Sequence, residues 1–258
     1  LVHISAIEKV CAELNLDLLA VAVEPFAVCR ACLGNELESN FSAIVMDIGG
    51  GTTDIAVVDD GGVEGTKMFG IGGRSFTHQI ANKTGLDYDT AEAVKLQLSG
   101  VSLDRLTLKH KNETVADAEK KNEIQQILAT PERAKKINQA ISDNIEVWLG
   151  GVSVALEDFP LIEALPTRIL LCGGSAGLAS LQEALATSDW YTDLPFSRRP
   201  LVHLLDDVDI PGIENTTPED LDYSFITAFG LLRVAIDTLA GTEEPTGLRA
   251  KLAKLLQN

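Results

Sequence analysis

Positive charge is scarce in this chain: 21 Lys and Arg stand against 38 Asp and Glu, a net charge of −17 over 258 residues. Such a surface repels a phosphate backbone at long range and argues against nucleic acid as a partner. Long apolar runs are missing too. Nowhere do about 18 apolar residues follow one another, and the first residues lack the basic, apolar and small-residue order of a secretory signal, so a cytosolic location is expected. Cysteine is limited to Cys11, Cys29, Cys32 and Cys172. Cys29 and Cys32 form a CxxC, but no second Cys or His pair has zinc spacing, so reduced core thiols are expected. The initiating methionine is absent as well: the sequence opens at Leu1, partway through a helical pattern, and reads as a fragment. What remains is an ordinary globular composition, 45% hydrophobic and 23% charged, long enough for one large domain or two modest ones.

The densest chemistry lies in residues 45–58, VMDIGGGTTDIAVV. Residues 43–47 and 55–58 are apolar and β-branched, so two buried strands joined by a glycine turn are predicted. Gly49, Gly50 and Gly51 carry no Cβ, which lets the chain take positive φ and lets its amides approach an anion. Thr52 and Thr53 offer hydroxyls. Asp47, ionised beside a phosphate, suits a hydrated Mg²⁺, an ion that keeps several waters and takes few protein carboxylates. The simpler reading is a hairpin with a flexible tip and a solvated aspartate.

Elsewhere the pattern alternates helices and strands. Residues 3–14 place apolar groups on one helical face, residues 18–23 read as a short buried strand that Glu24-Pro25 ends, and residues 26–33 read as a second helix stopped near Gly34. A turn at Gly61-Gly62 precedes a strand over 63–71, and Gly72-Gly73 opens a helix from about Arg74. Glu92 and Lys95 share a helical face. Residues 98–108 suggest a turn and a short strand, residues 109–121 an exposed charged stretch, and residues 131–159 a helix turning Ile137, Ile141, Ile145, Trp148 and Leu149 to the core. Strand RILLC (168–172) runs into Gly173, Gly174 and Ser175 before a helix over 178–186. That arrangement forms a crevice where open α/β sheets place ligands. Residues 241–246, GTEEPT, are a linker by composition. Residues 247–258 place Leu248, Leu252, Leu255 and Leu256 on one helical face and Arg249, Lys251 and Lys254 away from it, which fits an interfacial membrane helix, a docked helix or a frayed end.

DIGGGTTDIAVV resembles the second phosphate motif of the actin, sugar kinase and 70-kDa heat-shock superfamily, most closely its bacterial branch of FtsA, MreB and PilM. EPFAVCRA resembles the first connecting segment. IGGRSFTHQIANKTGLDYDTAEAVKLQ resembles the bacterial segments in which a glycine pair opens one helix and AExxK falls on the next. LCGGSAGLASLQEAL resembles the adenosine motif, and ITAFGLLRVA the second connecting helix, in which Ala228 and Gly230 would permit close packing. The resemblance implies an α/β, actin-like (ribonuclease H-like) ATPase fold, mainly lobe II with the end of lobe I. Residues 1–40 would end lobe I, residues 41–78 and 166–240 form subdomain IIA, residues 79–165 subdomain IIB, and residues 241–258 a linker and amphipathic helix.

By the same resemblance, ATP and Mg²⁺ are the cofactors. Gly49, Gly50, Gly51, Thr52 and Thr53 would hold phosphate, and Asp47 the metal through water. Glu92, Lys95, Gly173, Gly174 and Ser175 would lie at ribose and adenine, and Glu24 would orient the attacking water; any ATPase activity would be slow. The nearest family, FtsA, implies head-to-tail self-assembly and attachment of the division protein FtsZ to the inner face of the membrane through residues 247–258. A PilM-like role in type IV pilus assembly and a small-molecule (sugar or acetate) kinase are the alternatives.

Overall fold

The computed structural model describes residues 2–33, 41–100, 115–159, 163–216 and 221–240. The predicted tail helix and linker, the predicted helix stop at Gly34 and most of the 98–108 segment lie outside them.

Five strands form one mixed sheet. β1 (Ala43–Ile48), β2 (Thr53–Asp59) and β3 (Gly62–Phe69) make an antiparallel meander, while β4 (Arg168–Cys172) joins β1 in parallel and β5 (Leu201–Leu204) joins β4 in parallel. The order is therefore β3-β2-β1-β4-β5. β1 is central and buried along its whole length, which explains its unbroken apolar run. Asp60 and Gly61, both left-handed, turn β2 into β3, one residue earlier than the sequence suggests. The sequence reading does not include β5, because the LVHL stretch is only four residues long and half exposed at a sheet edge.

Helices cover both faces of the sheet. On one side α1 (Val2–Glu13) is followed by α2 (Glu24–Leu33), which packs with α8 (Ile226–Ala240) over Val45, Ala56, Val58 and Leu170. On the other lie α3 (Gly73–Thr84), α4 (Tyr88–Leu98), α5 (Val115–Ala129), α6 (Pro131–Glu157) and α7 (Ala179–Thr187), around a larger core that includes Ile44, Met46, Phe76, Ile141 and Trp148. Four of the five predicted core-facing residues of α6, Ile137, Ile141, Ile145 and Trp148, are buried, and Leu149 packs against that core partly exposed.

Two sequence expectations fail here. Residues 18–23 form no strand, pair with none of the five strands of the sheet, and are mostly exposed. The helix predicted over residues 3–14 is present as α1, but no residue of it is buried, so its apolar face meets nothing among the described residues. In α8 the close packing belongs to Gly230 alone, as Ala228 is exposed. A methyl group on Gly230 would overlap the carbonyl of Ala27 in α2 and come within 3.0 Å of its Cα. The two helices thus touch backbone to backbone, with an Arg30–Asp237 ion pair beside the contact.

The glycines of the helices should separate cleanly by substitution. Gly150 in α6 has open space around it, so Gly150→Ala is expected to stabilise the chain by up to about 1 kcal/mol through helix propensity. Gly230→Ala gains the same propensity but meets the Ala27 backbone, and should lose roughly 1–3 kcal/mol. Urea unfolding of the two variants measures both signs.

Candidate functional site

β1 and β4 are parallel neighbours, with Asp47 in register with Cys172, so the loops that leave their carboxyl ends stand side by side. The first is the triglycine turn. Gly49 N donates to Thr52 O at 2.9 Å and closes the hairpin, but the amides of Gly50, Gly51 and Thr52 find no acceptor among the described residues. Three successive N–H groups without an acceptor at a partly exposed tip could donate to an anion. The tip is held from behind by the start of α3: Gly73 N donates to Gly49 O at 2.9 Å and Arg74 N to Gly50 O at 2.7 Å. Gly72 must be glycine, because a side chain there would meet Gly49 O at 2.6 Å and Thr52 N at 2.8 Å.

The structure divides the predicted phosphate residues. Gly50, Gly51 and Thr52 lie at the open tip, with the Thr52 hydroxyl bonded to the Asp54 carboxylate. Gly49 offers no free amide; it pins the turn. Thr53 is a correction: its side chain is fully buried, where its hydroxyl donates to Ile71 O at 2.8 Å and accepts from Trp148 Nε1 at 2.8 Å. Alternation along β2 decides this, since neighbouring residues of a strand point to opposite faces.

The second loop follows β4. Gly173 has φ +90°, and a side chain on it would collide with Asp47 Oδ1 and with the backbone of Ile48. Ser175 N donates to Ile48 O at 2.9 Å and Ser175 Oγ to Gly49 O at 3.0 Å, so the serine clamps this loop to the hairpin and its hydroxyl is already engaged. Gly174 faces open space and its amide has no acceptor among the described residues. Next to Ser175, Lys95 is buried and spends its ammonium on Gly73 O (3.2 Å), Thr77 Oγ1 (3.1 Å) and the Glu92 carboxylate (2.8 and 2.9 Å). Thr77 also donates to Glu92. Glu92 and Lys95 therefore do stand at the crevice, tying α4 to the start of α3 rather than pairing on an outer surface.

Three carboxylates share the hairpin side. Asp47 is buried, and this raises its pKa against the lowering effect of a 2.5 Å hydrogen bond donated by Thr227 at the start of α8. Asp54, its cross-strand partner, is raised by burial and then by the Asp47 charge, with the Thr52 bond opposing. Glu24, the first residue of α2, is raised by desolvation and by the charges of Asp47 and Asp54. Asp54 was not assigned a role from the sequence, although its symmetric position across the turn was the available signal. Among the described residues no three His, Cys, Asp or Glu side chains are grouped to hold a metal ion directly. A single buried carboxylate, Asp47, is the group that would accept from a water of a hydrated Mg²⁺, an ion that keeps several of its waters.

The thiols fit the sequence reading: Cys29 and Cys172 are buried, all four cysteines are free, and burial pushes Cys32 up to about 12.

The carboxylate cluster has a measurable cost. Its pKa values are raised in the folded chain, so the native state holds more protons than the unfolded one from the ordinary carboxylate range near pH ~4 upward, and stability falls as pH climbs through the raised values. Asp47→Asn is thus expected to raise the thermal midpoint of the ligand-free protein at neutral pH. The gain should vanish below pH ~4, where the wild-type carboxyl is already protonated; circular-dichroism melts at the two pH values check it.

Comparison with known proteins identifies the family and the fold. The family model described as Cell division protein FtsA matches residues 44–243. FtsA of Bacillus subtilis (strain 168) is 28% identical over 165 residues, covering 64% of this chain and 35% of the relative. FtsA of Neisseria meningitidis serogroup B is 26% identical over 268 residues, covering 98% of this chain and 59% of the relative. The chain thus spans between about a third and three-fifths of the length of these curated relatives. Among solved structures, the PilM-PilN type IV pilus biogenesis complex aligns with TM-score 0.60 at 18% identity, over 93% of this chain and 58% of that one. MreB 5 of Spiroplasma citri, bound to AMPPNP, aligns with TM-score 0.54 at 17% identity, over 92% and 64%. At such identities the likeness establishes the fold, an actin-like ATPase fold. With most of its length matched by the family model, the chain belongs to the FtsA family of actin-like cell-division proteins.

Proposed function

We propose that this chain is the nucleotide-binding half of a division protein that binds ATP with Mg²⁺, assembles head to tail, and tethers the FtsZ ring to the inner face of the membrane. One observation carries the nucleotide part. The free amides of residues 50–52, the buried Asp47 and the side-chain-free Gly173 and Gly174 meet at the carboxyl ends of two adjacent parallel strands. When bound, Mg²⁺ supplies positive charge that neutralises phosphate oxygens.

The chain's own groups divide the work. Gly50, Gly51 and Thr52 donate N–H bonds to the phosphoryl tail. Asp47 accepts from a metal-bound water, and Thr227 fixes the orientation of its carboxylate. Gly173 and Gly174 leave room for the nucleoside, with Glu92 and Lys95 beside them. Glu24 stands near enough to Asp47 and Asp54 for their charges to raise its pKa, a shift that favours accepting a proton from water. The boundaries inferred from the resemblance make β1 to β5 the nucleotide-binding subdomain and the helices between β3 and β4 most of a second. Attachment rests on residues 247–258, whose three basic groups add roughly 1 kcal/mol each near an anionic leaflet, so a filament would hold where one copy binds weakly.

Two measurements test this. Titration of a fluorescent ATP analogue should show Mg²⁺-dependent binding by the full-length protein and loss of the metal dependence in Asp47→Ala; equal dependence in both would remove Asp47 from the site. In liposome co-sedimentation, protein ending at Thr242 should stay in the supernatant at anionic lipid fractions that pellet the full-length protein.

A further inference from the structure

We propose that Arg74 is a phosphate-binding residue whose guanidinium covers the triglycine tip and engages the anionic tail of the bound nucleotide. The inference rests on the nucleotide site proposed above and adds to it a cation that neither the sequence pattern nor the family resemblance assigned. A methyl group in place of the Gly51 hydrogen would lie 3.1 Å from Arg74 Nη2 and 3.5 Å from Cζ, and one on Gly50 would lie 3.6 Å from Nε and 3.7 Å from Nη2. The guanidinium therefore lies against two of the three residues whose amides are free, Gly50 and Gly51. It is delivered there by the main chain, since Arg74 N donates to Gly50 O at 2.7 Å and α3 begins one residue earlier.

The cation is uncommitted. Among the described residues Arg74 makes no ion pair, and its side chain makes no hydrogen bond, although three carboxylates occupy the same end of the sheet. Lys95, the other cation at the crevice, is used up by Glu92, Thr77 and Gly73. A polyphosphate entering beside Glu24, Asp47 and Asp54 brings like charge to like charge, and amide dipoles alone supply no formal positive charge against it. A planar guanidinium presents parallel N–H donors that match phosphate oxygens two at a time, which an ammonium does not. Arg74 is also exposed, so its side chain reaches a ligand without giving up a packed position, and its removal leaves the core intact.

The test is equilibrium titration of ATP, ADP and adenosine into the full-length wild-type protein, Arg74→Gln, Arg74→Lys and Asp47→Ala, each at low and moderate salt. Arg74→Gln should weaken ATP and ADP by about tenfold or more, the range of a charge-assisted hydrogen bond, and leave adenosine unchanged. Arg74→Lys should fall between, and the salt dependence of ATP affinity should flatten in Arg74→Gln. Melting of ligand-free Arg74→Gln and Arg74→Lys should match wild type. If Asp47→Ala loses Mg²⁺-dependent affinity while Arg74→Gln binds ATP as wild type does, the site stands and the role of Arg74 is overturned. Equal weakening of adenosine and ATP by Arg74→Gln also overturns it, since that pattern marks a merely structural residue. If the wild type binds no nucleotide, or neither Arg74→Gln nor Asp47→Ala changes binding, the nucleotide site itself falls.

Discussion

Two carbonyl groups, those of Ile48 and Gly49, hold the crevice together. Ile48 O accepts from Ser175 N, and Gly49 O accepts from both Gly73 N and Ser175 Oγ. Two segments distant in sequence are thereby fastened to the hairpin turn: the start of α3 and the segment after β4. Each of these contacts needs a residue with little or no side chain nearby, which is why Gly72, Gly73 and Gly173 cluster there. The glycines do not make this end of the sheet loose; they allow the backbones to come close enough to bond.

Much of this was legible in the sequence. The apolar β-branched runs flanking GGG located β1 and β2, RILLC located β4, and the glycine pairs marked where strands give way to helices. Individual donors were less legible. Which of two adjacent threonines faces the tip depends on strand alternation relative to a core that only the tertiary structure reveals, and Thr53 falls on the Trp148 side. Gly49 and Gly51 look identical in sequence, yet the hydrogen bond that closes the turn consumes the amide of the first and leaves the second free. β5 and the irregular segment at 18–23 went astray for a common reason: strand formation depends on pairing with a neighbour, and pairing is a long-range property. Arg74 carried no signal at all, because its importance lies in the distance to a turn more than twenty residues upstream.

The electrostatics of the crevice are unfavourable to its own carboxylates. Burial disfavours the charged form of Asp47, and its neighbours Asp54 and Glu24 feel its charge in addition to their own desolvation. Groups kept under such conditions lower the stability of the empty protein and are relieved when positive charge arrives, a common pattern where function and stability compete. The buried Lys95, by contrast, is fully satisfied and serves to make the opposite wall rigid.

The contact between Gly230 and Ala27 has a mechanical meaning. With no side chain between them at Gly230, α2 and α8 lie backbone to backbone; the Arg30–Asp237 ion pair joins them again two turns further on, and Thr227, one turn before Gly230, is bonded to Asp47. α8 spans 15 residues and so acts as a beam about 22 Å long with its short arm anchored in the crevice. Its later turns are tied to α2 through Asp237, so α2 and α8 form one joined strut whose near end reaches the Asp47 carboxylate while Ile236 and Leu239 stay exposed on its far half.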